Sequence, residues 1–283
     1  MIKLIDILLE SEVSPIEGQP LLTWFLNRIN NTFVFFDTET TGLLKTGPNK
    51  EKYRGENEQI TQLAGIATEL NGETLRFMEI DSFNQKIKLN DITKGLMQNE
   101  PDEPASDDLN DVRSWTFTTK KGILKFNHYD LANSESFEDE RKVLENFDKF
   151  LKKQGGNITL IAHNAPFDLT FIQFHEIFKE STYEVIDSIE FFDKFFFPIM
   201  KKLSETNPET AEKYNSWKDS SFHSGGKSPG IENLCKNFDN KKNNFIQKQK
   251  SAHDALVDCQ LTIELVEYGL FTVYRYLDTF KKS

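Results

Sequence analysis

Two cysteines in 283 residues leave little scope for disulfides or metal–thiolate chemistry. Cys235 and Cys259 stand in no metal or redox spacing and read as free thiols of a reducing compartment. Long apolar runs are missing as well, so no segment is expected to span a bilayer. Residues 1–10 carry Asp6 and Glu10 inside their apolar stretch, and no small-residue cleavage site follows. This argues against a secretory signal and for a cytoplasmic protein. Basic charge is also short: 34 Lys and Arg stand against 45 Asp and Glu, a net charge of −11. A protein that holds nucleic acid through many phosphate contacts is normally basic. Such a partner could here be held only through few contacts or through metal ions.

What the chain does have is phenylalanine, 25 copies, which predicts an aromatic-rich core. Two helical stretches are expected within residues 1–31, the second with Leu22, Phe25, Leu26 and Ile29 on one stripe; they either cap the core or dock a partner. Residues 32–37 form an apolar, β-branched run and predict a buried strand. Two more strands, 59–69 and 74–83, flank Asn71-Gly72, a pair suited to a type I′ hairpin turn. Residues 90–118 are polar, acidic and proline-containing and read as a long loop or disordered insertion, or a flexible lid.

An amphipathic helix over 137–153 ends at Gly155-Gly156 and a buried strand covers 158–162. Then come a helix over 169–179, a short strand at 184–186 and a Phe-rich helix over 188–203. Residues 205–229 look like a second insertion, followed by a short helix over 231–238 and a long one over 252–268. This order predicts an α/β fold, a mixed sheet with helices packed on it.

Three polar islands interrupt this apolar plan. In the first, Asp37 and Glu39 close the first strand two residues apart, so their side chains share a face. Carboxylates so close repel unless a cation sits between them, and hard divalent ions take such ligands. A strand-end turn with a capping acid explains the pair equally well. The second island, His163-Asn164-Ala165-Pro166-Phe167-Asp168, follows the strand 158–162. Asp168 near a helix start can cap amides or bind metal; His163 reads as a hydrogen-bonded strand-end histidine, and Asn164 as a loop or substrate residue. In the third, Asp258 lies among apolar neighbours of a late helix and needs a partner, for which a metal would serve. His253 at the helix start suits a general base or a surface histidine. Asp254 with Ser251 has nearly the pattern of a capping box and reads as structural.

Together and in this order, D-x-E, H-N-x-x-F-D and H-x-A-x-x-D resemble the DEDDh (DnaQ-like) 3′→5′ exonuclease family over roughly residues 32–268. The strand at 59–67 and the segment Ile231-Glu232-Asn233-Leu234-Cys235 support the match. The resemblance implies an RNase H-like fold over 32–283, with residues 1–31 as an N-terminal extension. It implies two divalent metal ions, Mg2+ or Mn2+. Asp37, Glu39 and Asp258 would hold one, Asp37 would bridge to the second, and Asp168 would help hold that one. His253 would deprotonate the attacking water, and the product would be a nucleoside 5′-monophosphate. A pocket for the 3′ end would be lined by Thr38, Thr41, Gly42 and Leu43, with Leu43 as a wedge between bases, Phe167 as a stacking residue and Asn164 near substrate.

Charge is uneven along the chain. Residues 98–111 hold six acids and no Lys or Arg, while residues 236–250 hold five lysines and one acid, Asp239. Lys241, Lys242, Lys248 and Lys250 are expected to flank an incoming strand just before His253. The expected partners are 3′ ends of single-stranded DNA or RNA, DNA slightly favoured. A polymerase or other replication or repair protein is left open as a further partner. The competing readings are an inactive module that binds nucleic-acid ends or a partner protein, and an oligoribonuclease-like or phosphatase-like hydrolase on the same fold.

Overall fold

The structure is a computed structural model and describes residues 19–46, 52–105, 108–177, 183–206, 211, 212, 215 and 253–281. Its centre is a five-stranded sheet built from β1 (Thr32–Thr40), β4 (Ile60–Asn71), β5 (Arg76–Lys86), β6 (Ile158–Ala162) and β7 (Glu184–Asp187). Two short strands, β2 (Lys45–Thr46) and β3 (Lys52–Tyr53), pair separately. The sheet order is β5-β4-β1-β6-β7. β4 is antiparallel to β1 and to β5, whereas β6 is parallel to β1 and β7 parallel to β6. This is a mixed sheet flanked by helices, the α/β arrangement that the order of elements predicts.

β1 reads as continuous apolar sequence because both of its faces are covered. Phe33 and Phe35 face a core completed by Phe25 of α1 (Gln19–Leu26), by Ala255, Leu261 and Leu265 of the C-terminal helix, and by the Phe-rich segment. Val34 and Phe36 face a second core with Val143, Phe147 and Leu151 of α5 (Glu140–Gln154) and Phe171 of α6 (Ala165–Ile172). Burying each such ring contributes roughly 2–3 kcal/mol. The Phe-rich helix runs from α7 (Ser188–Phe191) through a π-helical turn at Phe192–Phe196 into α8 (Phe197–Thr206). The last helix, α9 (Ala255–Lys281), lies across the sheet: Gln62 of β4 accepts from the Ala255 amide, and Glu267 accepts from the Phe77 amide of β5.

Four expectations need adjustment. The β4–β5 hairpin exists, but its turn is longer than a type I′ pair. Asn71 Oδ1 accepts from the Glu73 and Thr74 amides, its carbonyl accepts from the Leu75 amide, and Leu75 rather than Asn71-Gly72 has positive φ. α6 starts at Ala165, four residues early, because Asn164 takes the left-handed conformation and Pro166 is tolerated in a first turn.

The third concerns residues 90–118, where 91–98 and 109–118 are helical rather than loop: α2 (Asp91–Gln98) and α3 (Leu109–Thr118) lead into α4 (Lys120–Phe126), and α2 to α4 with the adjoining Asn127 are the helical insertion. Their apolar core is small, Leu89, Met97, Leu124 and Tyr129 with Phe137 against it, and caps and ion pairs supply the rest. Asn90, Asp108 and Thr119 cap the three helices, and Glu100 accepts from the Lys120 and Lys121 amides. Gly122 is required where α3 and α4 meet, since a Cβ there would lie 2.5 Å from the Trp115 carbonyl oxygen. Fourth, the C-terminal helix starts at Ala255 and reaches Lys281, well past residue 268. The first helical stretch, most of 205–229, the helix at 231–238 and Cys235 lie outside the described residues. Cys259 is a free, buried thiol. Among the described residues no helix is long and apolar enough to cross a membrane.

Candidate active site

β1 and β6 are parallel, so their C-terminal ends open on the same edge of the sheet. Alternation along β1 carries Asp37 and Glu39 onto the Phe33–Phe35 face, towards α9. There, ligand atoms of Glu39, His253 and Asp258 all lie within 4.8 Å of one another. Asp254 Oδ1 accepts from the Leu256 and Val257 amides and so caps α9, as its sequence context suggested. Asp258 follows one turn later, and its Oδ2 accepts from the His253 amide at 3.2 Å. His253 holds a left-handed backbone, φ 69°.

Asp168 arrives from the other side of β1. It lies in the first turn of α6 and is buried. Its Oδ1 accepts from the Thr38 amide at 2.9 Å and the Thr38 hydroxyl at 2.6 Å, which fixes α6 to the strand between Asp37 and Glu39. The carboxylate therefore clasps β1 across the layers.

Electrostatics record the convergence. Burial raises the Asp37 carboxyl well above its ordinary value, and the charges of Asp168, Asp258, Glu39 and Asp254 push it further. Glu39 is raised well above its own for the same reasons, burial first and then Asp258, Asp168 and Asp254. Burial lifts Asp168 to about 7, against the two Thr38 hydrogen bonds that favour its charged form. The charges of Asp168 and Asp258, from two distant segments, thus reach Asp37 and Glu39 in a desolvated space, though Asp37 and Asp168 lie outside the group of ligand atoms within 4.8 Å of one another. The set is oxygen-rich with one imidazole, which suits a hard divalent cation that would let all four ionise.

The remaining expected residues divide. Leu43 stands 79% exposed just beyond β1, free to meet a ligand. Thr41 is buried, its hydroxyl donating to Glu58 Oε2 and accepting from the Gln59 amide, and Thr38 is committed to Asp168. Gly42 is buried against Glu58, whose Oε2 would be 2.3 Å from an added Cβ. Asn164 is exposed, and its amide donates to Asp187. Phe167 is half-buried, 5.1 Å from the Phe171 ring. His163 Nδ1 is 2.8 Å from Ser188 Oγ, the hydrogen-bonded strand-end histidine anticipated. Lys241, Lys242, Lys248 and Lys250 lie outside the described residues.

Sequence reasoning missed a group contributed by the helical insertion. Lys120 pairs with Glu58 at 2.8 Å beneath the Thr41–Gly42 backbone, and its ammonium also reaches the Thr41 carbonyl at 3.5 Å. Asn127 donates to the Thr40 carbonyl at 3.1 Å. Phe126 lies against the His253 ring, 3.8 Å between centroids. The signal for the helix carrying them was Thr119 three residues before Gly122, a capping threonine whose hydroxyl does accept from the Gly122 amide.

Among solved structures the chain is similar to cell-death related nuclease 4 (12% identity, 84% of this chain and 63% of that chain covered, TM-score 0.43). It is also similar to a 3′-exonuclease described for 3′-end specific recognition of histone mRNA stem-loop (10% identity, 89% and 72% covered, TM-score 0.44). A third neighbour is the nuclease domain of 3′hExo bound to rAMP (12% identity, 84% and 90% covered, TM-score 0.35). That domain is described as a DEDDh family member, the family that the three motifs resemble. This chain spans less than two thirds of the length of the first of these nucleases. No protein-family model and no curated protein matches the sequence.

Proposed function

We propose that this chain is a divalent-metal-dependent 3′→5′ exonuclease that releases nucleoside 5′-monophosphates from single-stranded ends, DNA slightly before RNA. The observation that supports the reading is the approach of Glu39, Asp258 and His253 ligand atoms to within 4.8 Å of one another, with Asp37 two residues from Glu39 and the charge of Asp168 felt at both. Asp37, Glu39, Asp168 and Asp258 would hold the metal, two Mg2+ or Mn2+ ions in the family the motifs resemble. When bound, these ions supply charge neutralisation for the scissile phosphate and for the departing 3′ oxygen.

The chain's own residues do the rest. An imidazole nitrogen of His253 takes the proton of the attacking water as the new P–O bond forms. The P–O3′ bond breaks, and the 3′ oxygen leaves to be protonated by solvent. Thr38 holds the Asp168 carboxylate beside the strand that carries Asp37 and Glu39. Leu43, exposed at the strand end, is placed to contact the terminal bases, and the buried Thr41–Gly42 backbone would abut the last nucleotide. Lys248 and Lys250 would steer the strand electrostatically, Asn164 would touch it, and Phe167 would pack or stack beside it.

The test is a nuclease assay on end-labelled DNA and RNA of one sequence with Mg2+ or Mn2+. Stepwise 5′-monophosphate release from the 3′ end is expected, abolished by EDTA and by Asp37→Ala. No release, or release that survives Asp37→Ala, would favour a binding module instead.

A further inference from the structure

His253 is held from two sides. One side is the acidic cluster, where its ring lies within ligand distance of Glu39 and Asp258 and its amide donates to Asp258. The other is Phe126, whose ring centroid is 3.8 Å from that of the imidazole at an interplanar angle of 37°. Phe126 is itself braced edge-on by Phe117, 5.1 Å away. Both phenylalanines belong to the helical insertion, which none of the three motifs includes.

The insertion is tied to the strand that carries Glu39. Lys120 opens α4 and pairs with Glu58 against Thr41; Asn127, directly after α4, donates to the Thr40 carbonyl. Both ends of the seven-residue helix bearing Phe126 are thus fastened one and two residues beyond Glu39. The distance between the Phe126 ring and the Glu39 carboxylate is thereby set by short, partly buried bonds. His253 precedes α9 in a left-handed backbone conformation, and its side-chain torsions are set by what its ring touches. An aromatic face in contact restricts them, so that less ordering remains to be done when the proton is transferred.

We propose that Phe126 is a positioning residue for His253: the helical insertion fixes the imidazole against the acidic cluster through this one ring. The inference rests on the exonuclease reading for its consequence in catalysis, but not for the contact itself.

Two measurements on the full chain separate these. In the first, the ring protons of the five histidines are followed by carbon–proton NMR without added metal, His253→Gln identifying the His253 signal. Phe126→Leu keeps bulk but removes the ring current; it is expected to displace the His253 signal and leave the other four in place. An unmoved signal overturns the proposal whatever the activity. In the second, mononucleotide release is measured with Mn2+. Phe126→Ala is expected to lower kcat roughly ten-fold with KM within about two-fold, and Phe126→Tyr to restore it. Phe126→Leu serves in place of the alanine variant should that variant not fold. A raised KM at unchanged kcat would make Phe126 a base-stacking platform, and unchanged kcat and KM would make it filler; either overturns the proposal. A wild-type chain that releases no nucleotide would defeat the exonuclease reading, and the NMR measurement would still decide the contact.

Discussion

Two groups of acids in this molecule look alike on paper and behave in opposite ways. Glu100, Asp102, Glu103 and Asp108 of the insertion each have a partner: two amides at the start of α4, Lys121, Lys125 and the first turn of α3. Asp37 and Glu39 share a desolvated face, and burial together with the charges of Asp168, Asp258 and Asp254 raises their carboxyls, while burial raises that of Asp168. A partnered acid holds a fold together. Acids gathered away from water lower stability unless something else is bound there, and such an expense points to function.

The comparison breaks first at activity. Asp258→Asn is expected to reduce nucleotide release on the order of a thousand-fold, since metal charge at the phosphate is lost with the ligand. In EDTA the same variant should unfold at an equal or higher temperature than wild type, because a repelling charge has gone. A calorimetric scan beside the assay checks both, and a clear loss of metal-free stability would place Asp258 with the acids that hold the fold together.

The pH dependence of the metal-free protein comes next. A raised acid keeps its proton in the native state after the unfolded chain has lost it. Between the ordinary carboxyl range, about 4, and the Asp168 value of about 7, the native state binds more protons. Stability therefore falls as pH rises through this window. Denaturant midpoints in EDTA from pH 5 to 8 should show the decline, and Asp168→Asn should flatten its upper part.

Smaller effects sharpen the other half. Lys120 and Glu58 have side chains only 11% and 13% exposed, so Lys120→Met strands a carboxylate beneath the Thr41–Gly42 backbone. A loss of about 3 kcal/mol is expected from chemical unfolding. The Lys125–Glu103 pair is 61% and 45% exposed, and Glu103→Gln should cost less than about 0.5 kcal/mol. Equal losses in the two variants would refute the distinction between them.

The sheet and the acids were legible in sequence for one physical reason. Asp37, Glu39 and Asp258 stand where burial should have selected apolar residues, an arrangement that a compensating ligand would make tolerable. The apolar run of β1, the turn signal after β4 and the amphipathic pattern of α5 gave the layers. Residues 90–118 were not legible, because their helices are stabilised by bonds between residues far apart in sequence, such as Lys120 with Glu58, and by a core of few side chains. An acidic run whose charges are satisfied one by one has the composition of a disordered segment. Phe126 carries no motif, and only its meeting with His253 gives it meaning. The early start of α6 was hidden by Asn164, whose left-handed conformation no periodicity records.

Mn2+ binding measured by calorimetric titration of the metal-free chain bears most directly on the acidic cluster. The wild type should take up Mn2+ with release of protons, in amounts that grow from pH 8 to pH 6.5 as more of the raised carboxyls start out protonated. Asp37→Asn should abolish that uptake. Wild-type protein that takes up no Mn2+, or an Asp37→Asn variant that takes it up unchanged, would contradict the assignment of these four acids to a metal.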